Sequence, residues 1–218
     1  RDVLSRSTVG ALFTNRSVSL VSAGTNQLYG LDGSFAFRDD FNLLGFFAKT
    51  ETTGLDGRDL SYMGRFAYTG DRYGITTGYL VVEDNFNPEV GFLRRDNFRQ
   101  VTGSARFSPR PESIDWIRRF NLNASTDWLW NANQGGLETR QHQLQFVTEL
   151  ESSDRISFLV SDEFEALAKT FSIAPEVVLE PGEYDFTSFS GSYVFGAQRP
   201  VSGSISLQTG GFWSGRNT

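Results

Sequence analysis

From Phe120 to Trp130 the chain alternates two kinds of residue. Phe120, Leu122, Ala124, Thr126, Trp128 and Trp130 fall on even positions, and Asn121, Asn123, Ser125 and Asp127 fall between them. Side chains of a strand point to opposite faces in turn, so the run predicts a strand with one greasy and one wet face. About eleven residues with an aromatic pair at one end suit a tilted membrane-crossing strand. Similar periodicity predicts eleven strands, near 6–15, 26–38, 41–50, 60–70, 72–83, 97–108, 117–131, 137–150, 154–163, 183–196 and 200–212.

The two faces can be assigned run by run. Tyr29, Leu31, Phe35 and Phe37 oppose Asp32, Ser34, Ala36 and Arg38. Val101, Ala105 and Phe107 oppose Gln100, Thr102, Ser104 and Arg106. Gln141, Gln143 and Gln145 oppose Leu144, Phe146 and Leu150, while Ile156, Phe158 and Val160 oppose Ser157 and Ser161. Val201, Ile205 and Leu207 oppose Ser202, Ser204, Ser206 and Gln208. The third and fifth runs alternate poorly: Leu43-Leu44 and Phe46-Phe47 put apolar groups on both faces, which predicts something packed inside the wall.

Connections between the runs alternate long and short. Segments 16–25, 51–59, 84–96 and 164–182 are long and 131–136 is intermediate. Asp39-Asp40, Gly70-Asp71, 151–153 and 197–199 are tight, and 109–116 is intermediate. Outer-membrane barrels carry short periplasmic turns and long outer loops, which would put Arg1 on the periplasmic side and Thr218 on the outer side. Single-chain bacterial barrels have even strand numbers. Eleven runs therefore predict that residues 1–218 are the C-terminal portion of one larger barrel domain, with no second domain.

Composition agrees with this reading. Mean hydropathy is −0.32, and no stretch approaches the roughly eighteen apolar residues a spanning helix requires. A β-barrel escapes that test because its lumen side is polar. The chain holds 20 Phe but no Cys, which removes disulfides, Cys-ligated zinc and thiol chemistry. A net charge of −6 argues against a nucleic-acid partner. The opening Arg1-Asp2-Val3 has neither Met nor an apolar signal segment.

Three phrases carry a resemblance: Arg1 to Gly10, Asn85-Phe86-Asn87-Pro88-Glu89-Val90-Gly91-Phe92-Leu93-Arg94-Arg95-Asp96, and Pro181-Gly182-Glu183-Tyr184. Together they resemble an outer-membrane β-barrel family of unknown function that follows a family-nine-like carbohydrate-binding domain. The resemblance implies an integral location in the bacterial outer membrane. It places saccharide binding in a domain preceding Arg1 and offers no catalytic residues.

Candidate chemistry is sparse. In segment 84–96, Asn87, Glu89, Gly91, Phe92, Arg94 and Arg95 could form a constriction or ligand contact, since Arg offers planar donors to carboxylate, phosphate or sugar hydroxyls. The competing reading is a loop stapled by ion pairs among Asp84, Glu89, Arg94, Arg95 and Asp96, anchored by Phe86 and Phe92, with Gly91 permitting the turn. His142, the one histidine, shares a face with Leu144 and Phe146 and reads as a packed side chain. Asp162-Glu163-Phe164-Glu165 reads as a solvated loop start rather than a calcium or glycosidase site. Residues 164–171 have apolar groups at helical spacing, which fits a short amphipathic helix or an ordered loop.

The expectation is an all-β, antiparallel up-and-down transmembrane β-barrel, seen in part, that serves passage, gating or surface anchoring. Lumen-facing positions are Asp32, Arg38, Gln100, Arg106, Asn121, Asn123, Asp127, Gln141, Gln143 and Gln145. Lipid-facing positions are Tyr29, Phe35, Phe37, Phe107, Phe120, Leu122, Trp128, Phe146 and Phe158. The partner is membrane lipid, with saccharide reached through the preceding domain, and no metal, cofactor or catalytic residue is expected. The alternatives are a soluble β-sandwich that binds carbohydrate, which requires the apolar face to form a packed core, and a glycosidase-type enzyme, which requires two carboxylates converging near one cleft.

Overall fold

The structure is a computed structural model that describes residues 6–21, 23–174, 177–213 and 215–217. Arg1–Ser5 and Thr218, on which part of the resemblance and the strand parity draw, lie outside them. No helix occurs among the described residues. Eleven long strands do: β1 (Ser7–Arg16), β2 (Asn26–Phe37), β3 (Phe41–Thr52), β4 (Leu60–Thr69), β5 (Tyr73–Val82), β6 (Phe98–Phe107), β7 (Ile117–Asn131), β8 (Leu137–Leu150), β9 (Arg155–Leu167), β12 (Gly182–Val194) and β13 (Ser204–Phe212). Short strands β10 (Phe171–Ala174) and β11 (Val177–Leu179) pair with each other, and β14 (Gly215–Asn217) pairs with β13.

Apart from the β10–β11 hairpin, the strands form one up-and-down sheet in which each lies beside its neighbour in sequence, with β12 following β9. Every strand pair whose register is described is antiparallel. Among the described residues β1 and β14 are not paired with each other, so the sheet they form is open.

Three expectations about element ends need correction. Asp162–Glu165 does not open a loop; it continues β9, and β9 pairs with β12 as far as Leu167 opposite Gly182. The physical reason is that alternation persists through the charges, and Asp162 is satisfied by Arg140 and Thr187. The helix considered over 164–171 is absent for the same reason, since the ladder to β12 takes the backbone groups up to Leu167 and β10 begins at Phe171. The last long strand starts at Ser204, so the turn expected at 197–199 is the longer connection 195–203.

Packing divides the chain into two compact units. Unit 1 comprises residues 1–69, 76–102 and 129–137. Here Tyr29, Leu31 and Phe35 of β2 stand opposite Phe13, Ala11 and Ser7 of β1 and opposite Lys49, Phe47 and Leu43 of β3. The alternate face carries Asn26, Leu28, Asp32, Ser34 and Ala36. Leu44 and Phe46 lie on that second face and Leu43 and Phe47 on the first, which explains the weak alternation of the third run.

Unit 2 comprises residues 70–75, 103–128 and 138–218. Its apolar face runs through Phe146 opposite Phe158, Leu144 opposite Val160, Phe189 opposite Val160, and Tyr193 opposite Ile205. Gln143 opposite Ser161, and Ser190 and Ser192 opposite Gln208 and Ser206, mark the polar face.

Candidate functional site

Connection 83–97 of unit 1 folds back over the polar face of its own strands. Phe86 is buried against Leu28 and Val82, flanked by Ala48, Leu80, Leu93 and Phe98. Leu28 and Ala48 share a face with Asn26, Asp32 and Thr50, so this small apolar cluster sits on the otherwise polar side. It is the packing that the poor alternation of the fifth run implies.

The backbone of the loop is fastened by polar side chains projecting from β2 and β3. Asn26 Nδ2 donates to Asn87 O (2.8 Å) and to Thr52 Oγ1 (2.7 Å), and Asn87 N–H donates to Thr50 Oγ1 (3.0 Å). Asn26 and Thr50 are completely buried. Buried backbone groups must find partners, and these two side chains supply them.

Glu89 ties the loop to a second connection. Its Oε1 accepts from Ser19 Oγ (2.6 Å) and Asn87 Nδ2 (3.1 Å), its Oε2 accepts from Leu20 N–H (2.9 Å), and Arg16 Nε lies 3.7 Å away. Burial pushes this carboxyl upward, but the bonds from Ser19, Leu20 and Asn87 and the Arg16 charge outweigh it and hold the group below the ordinary carboxylate range. At the start of the loop Asp84 accepts from Arg58 (2.7 Å) and Asn133 (3.0 Å), and Asn85 Nδ2 donates to Gly57 O (2.8 Å).

The loop is therefore stapled, but by different partners from those its own sequence offers. Arg94 and Arg95 do not pair with Glu89 or Asp84. Both are exposed, and Arg95 lies over the Phe98 ring at 5.9 Å. Phe92 is not an anchor, being 89% exposed. Gly91 closes a turn by donating to Pro88 O (2.9 Å), yet a Cβ there would meet only ordinary contacts with Pro88, so the turn does not demand glycine.

The expected lumen positions fall on polar faces, with one exception. Asp32 lies opposite Phe46 on the face bearing Asn26, and Gln100 alternates with Arg99, whose guanidinium covers Trp130 at 5.6 Å. Arg38 lies past the end of β2 in a tight turn with φ of 53°, so no strand face orients it. In unit 2, Arg106 donates to Gly70 O, Asp71 O and Ser108 Oγ, Ser108 donates to Asn121, and Asn121 donates to Glu149. Arg119 bonds both oxygens of Glu149 at 3.0 Å. Gln141 bonds Glu163 and Gln143 bonds Ser161. Asn123, Asp127 and Gln145 alternate onto the same faces of β7 and β8.

The expected lipid positions form the opposite faces. Tyr29 tilts against Phe13 and Phe35 stacks on Phe37 in unit 1. In unit 2 Phe107 stacks on Tyr73 and Phe120 stacks on Phe146, with Leu122, Trp128 and Phe158 on the same side. These side chains are not sealed in a core: Phe158 is 57% exposed, and Leu122 and Phe146 close to 40%.

His142 packs on this face. Its Nδ1 lies 2.9 Å from Thr126 Oγ1 and its ring meets Trp128 edge-on. Beside it Arg140 bonds Asp162 and Asp185 and lies over Trp128 and Phe164. Among the described residues no group of three or more His, Asp or Glu side chains could hold a metal ion. A polar recess of about 570 Å³ opens beside Gln27, Lys49, Glu51 and Asp59 in unit 1, where Lys49 bridges Glu51 and Asp59.

Sequence reading missed Arg16, Ser19, Asn26 and Thr50. No local signal marks them, because each acts on a loop that is far away in the chain. No protein-family model, curated protein or solved structure matches this chain.

Proposed function

We propose that this chain is part of the wall of an outer-membrane β-barrel, belonging to the uncharacterised family it resembles. In this reading the polar faces line a passage that connection 83–97 narrows, and the long connections face outward. The observation that carries the reading is the contrast between the two sides of the strands. One side holds interlocked Arg, Asn, Gln, Glu and Ser side chains. The other exposes Leu31 (61%), Phe47 (49%), Phe158 (57%), Phe189 (52%) and Leu207 (72%).

A water-soluble sandwich would cover such a face, because each exposed Phe or Leu forgoes roughly 1.5–3 kcal/mol of burial. Lipid tails cover it without a second sheet. Arg140, His142, Asp162 and Asp185 lie on the same side beyond Leu144 and Val160, toward the long connections. Headgroup depth, where Trp128 would also sit, suits such groups.

Selectivity would arise from hydrogen bonding and charge along the polar face, with no covalent step. The test is to express the full-length protein behind a secretory leader, fractionate membranes, and compare gel mobility in detergent before and after boiling. Outer-membrane recovery with a heat-dependent mobility shift supports the reading. A monodisperse, detergent-free monomer with unshifted mobility ends it.

A further inference from the structure

On the polar side of unit 2, one group of side chains is out of place. Tyr184 and Phe186 of β12 lie on the face that continues through Ser188, Ser190 and Ser192. Phe186 meets Phe212 at 6.2 Å and Trp213 at 5.8 Å, Tyr184 meets Trp213 edge-on at 5.5 Å, and Phe171 of the β10–β11 hairpin reaches Trp213 at 6.5 Å. The rings are not a closed core, since Phe171 and Phe212 are each 51% exposed. An exposed aromatic patch with a polar rim marks a binding surface.

Backbone geometry is committed to this patch. Gly210 has φ of 144°, and a Cβ there would meet Thr187 O at 2.4 Å, so β13 lies close against β12 where Phe186 must reach Phe212. Trp213 adopts φ of 54°, a left-handed conformation that residues with a Cβ seldom take. Strain of this kind concentrates at ligand sites.

The rim defines the ligand. Glu165 stands directly opposite Tyr184 in the ladder and Glu163 directly opposite Phe186, and Glu163 is held by Gln141 and Ser161. Ring faces beside carboxylate and amide acceptors complement a molecule with one C–H face and a girdle of hydroxyl donors. Two carboxylates disfavour an anionic ligand.

We infer that this patch binds neutral oligosaccharide, with Trp213 and Phe186 stacking on pyranose rings and Glu163 and Glu165 accepting from hydroxyl groups. The site belongs to this chain's own strands and is separate from any preceding carbohydrate-binding domain. It depends on the polar side being open to solutes, whatever covers the apolar side.

The experiment titrates full-length protein in detergent with maltohexaose, cellohexaose and hexagalacturonate, read by tryptophan fluorescence and isothermal calorimetry. Saturable binding of at least one neutral hexasaccharide is expected, with none for hexagalacturonate. Trp213→Ala should weaken binding about tenfold or more, whereas Trp213→Tyr stays within about threefold. If Trp213→Ala does not fold, the Glu163→Gln, Glu165→Gln double variant serves: it should weaken neutral sugar binding and admit hexagalacturonate. Absence of saturable binding by both neutral sugars, or affinity unchanged in these variants, overturns the inference. The boiling-dependent gel shift reports the barrel independently, so the two readings can fail separately.

Discussion

The carboxylate of Glu89 accepts a 2.6 Å hydrogen bond from Ser19 Oγ, joining two connections whose residues lie 70 apart in the chain. With Leu20 N–H on its other oxygen, Glu89 makes the β1–β2 and β5–β6 connections of unit 1 a single body. Glu89→Ala strands these donors, and a donor left without its acceptor costs about 1–3 kcal/mol when buried. Amides of residues 19–21, 86, 87 and 89–91 should then exchange about ten to a hundred times faster in full-length protein, with the strands unaffected.

The same tether has a defined acid limit. The folded Glu89 carboxyl titrates below its unfolded value, which is about 4.3 for Glu. Its contribution is complete above the unfolded value and is lost as pH falls through the lower, folded one. Hydrogen exchange of these loops, corrected for intrinsic rates, should be flat from pH 7 to about 5 and rise below about 4. In Glu89→Gln that pH dependence should disappear.

Asp154 is the corresponding staple among the shorter connections of unit 2. It is buried, accepts from Gly196 N–H and Tyr193 Oη at 2.7 Å each, and pairs with Arg199. These donors, led by the Gly196 amide and the Tyr193 hydroxyl, hold its carboxyl far below the ordinary range. Its stabilisation is therefore complete above the unfolded value of about 3.9 and is lost progressively as pH falls from there toward the lower, folded one. Asp154→Asn should lower the unfolding temperature at pH 7, and the gap to wild type should narrow as pH drops below about 4. Gly196→Ala should act similarly at neutral pH, because its Cβ would meet Ser152 O at 2.7 Å.

Adjacent residues of β13 stand on the exposed apolar face and on the polar face of the sheet. Leu207 stands opposite Gly191 and Ser206 opposite Ser192, and both side chains are exposed. In a bilayer, Leu207→Arg should cost about 2–4 kcal/mol near the midplane and Ser206→Arg about 1 or less. In a water-soluble protein both should be close to neutral. Urea titrations of assembly into lipid vesicles distinguish these outcomes.

Arg94 is exposed on the loop that crosses the polar face. Arg94→Glu replaces a cation by an anion there, so a passage narrowed by this loop should shift toward cation selectivity, read as a changed reversal potential across a planar bilayer with a salt gradient. An unchanged potential would separate the loop from the conduction path.

Where periodicity is strong, the chain announces its own strands. Phe120 to Trp130 lies within β7, and Tyr29 to Phe37 lies within β2 with the faces as read. Charge misled at Asp162–Glu165, because a carboxylate-rich stretch resembles a loop until the partners of Asp162, Arg140 and Thr187, are visible on neighbouring strands. Hairpin β10–β11 was illegible because strands of three and four residues carry too little alternation. At the loop of unit 1 the sequence offered Arg94 and Arg95 as partners for Glu89, and the fold supplied Arg16 and Ser19 instead. Local proximity is a poor guide when a connection folds across its own sheet.

Unbroken register from β1 through β4, and again through β8, β9, β12 and β13, restricts how this gene can change length. A one-codon insertion inside such a strand would turn every following side chain to the opposite face. Drift in length is thereby confined to the connections, and among descendants of this sequence the strands should hold constant spacing while the connections between them diverge.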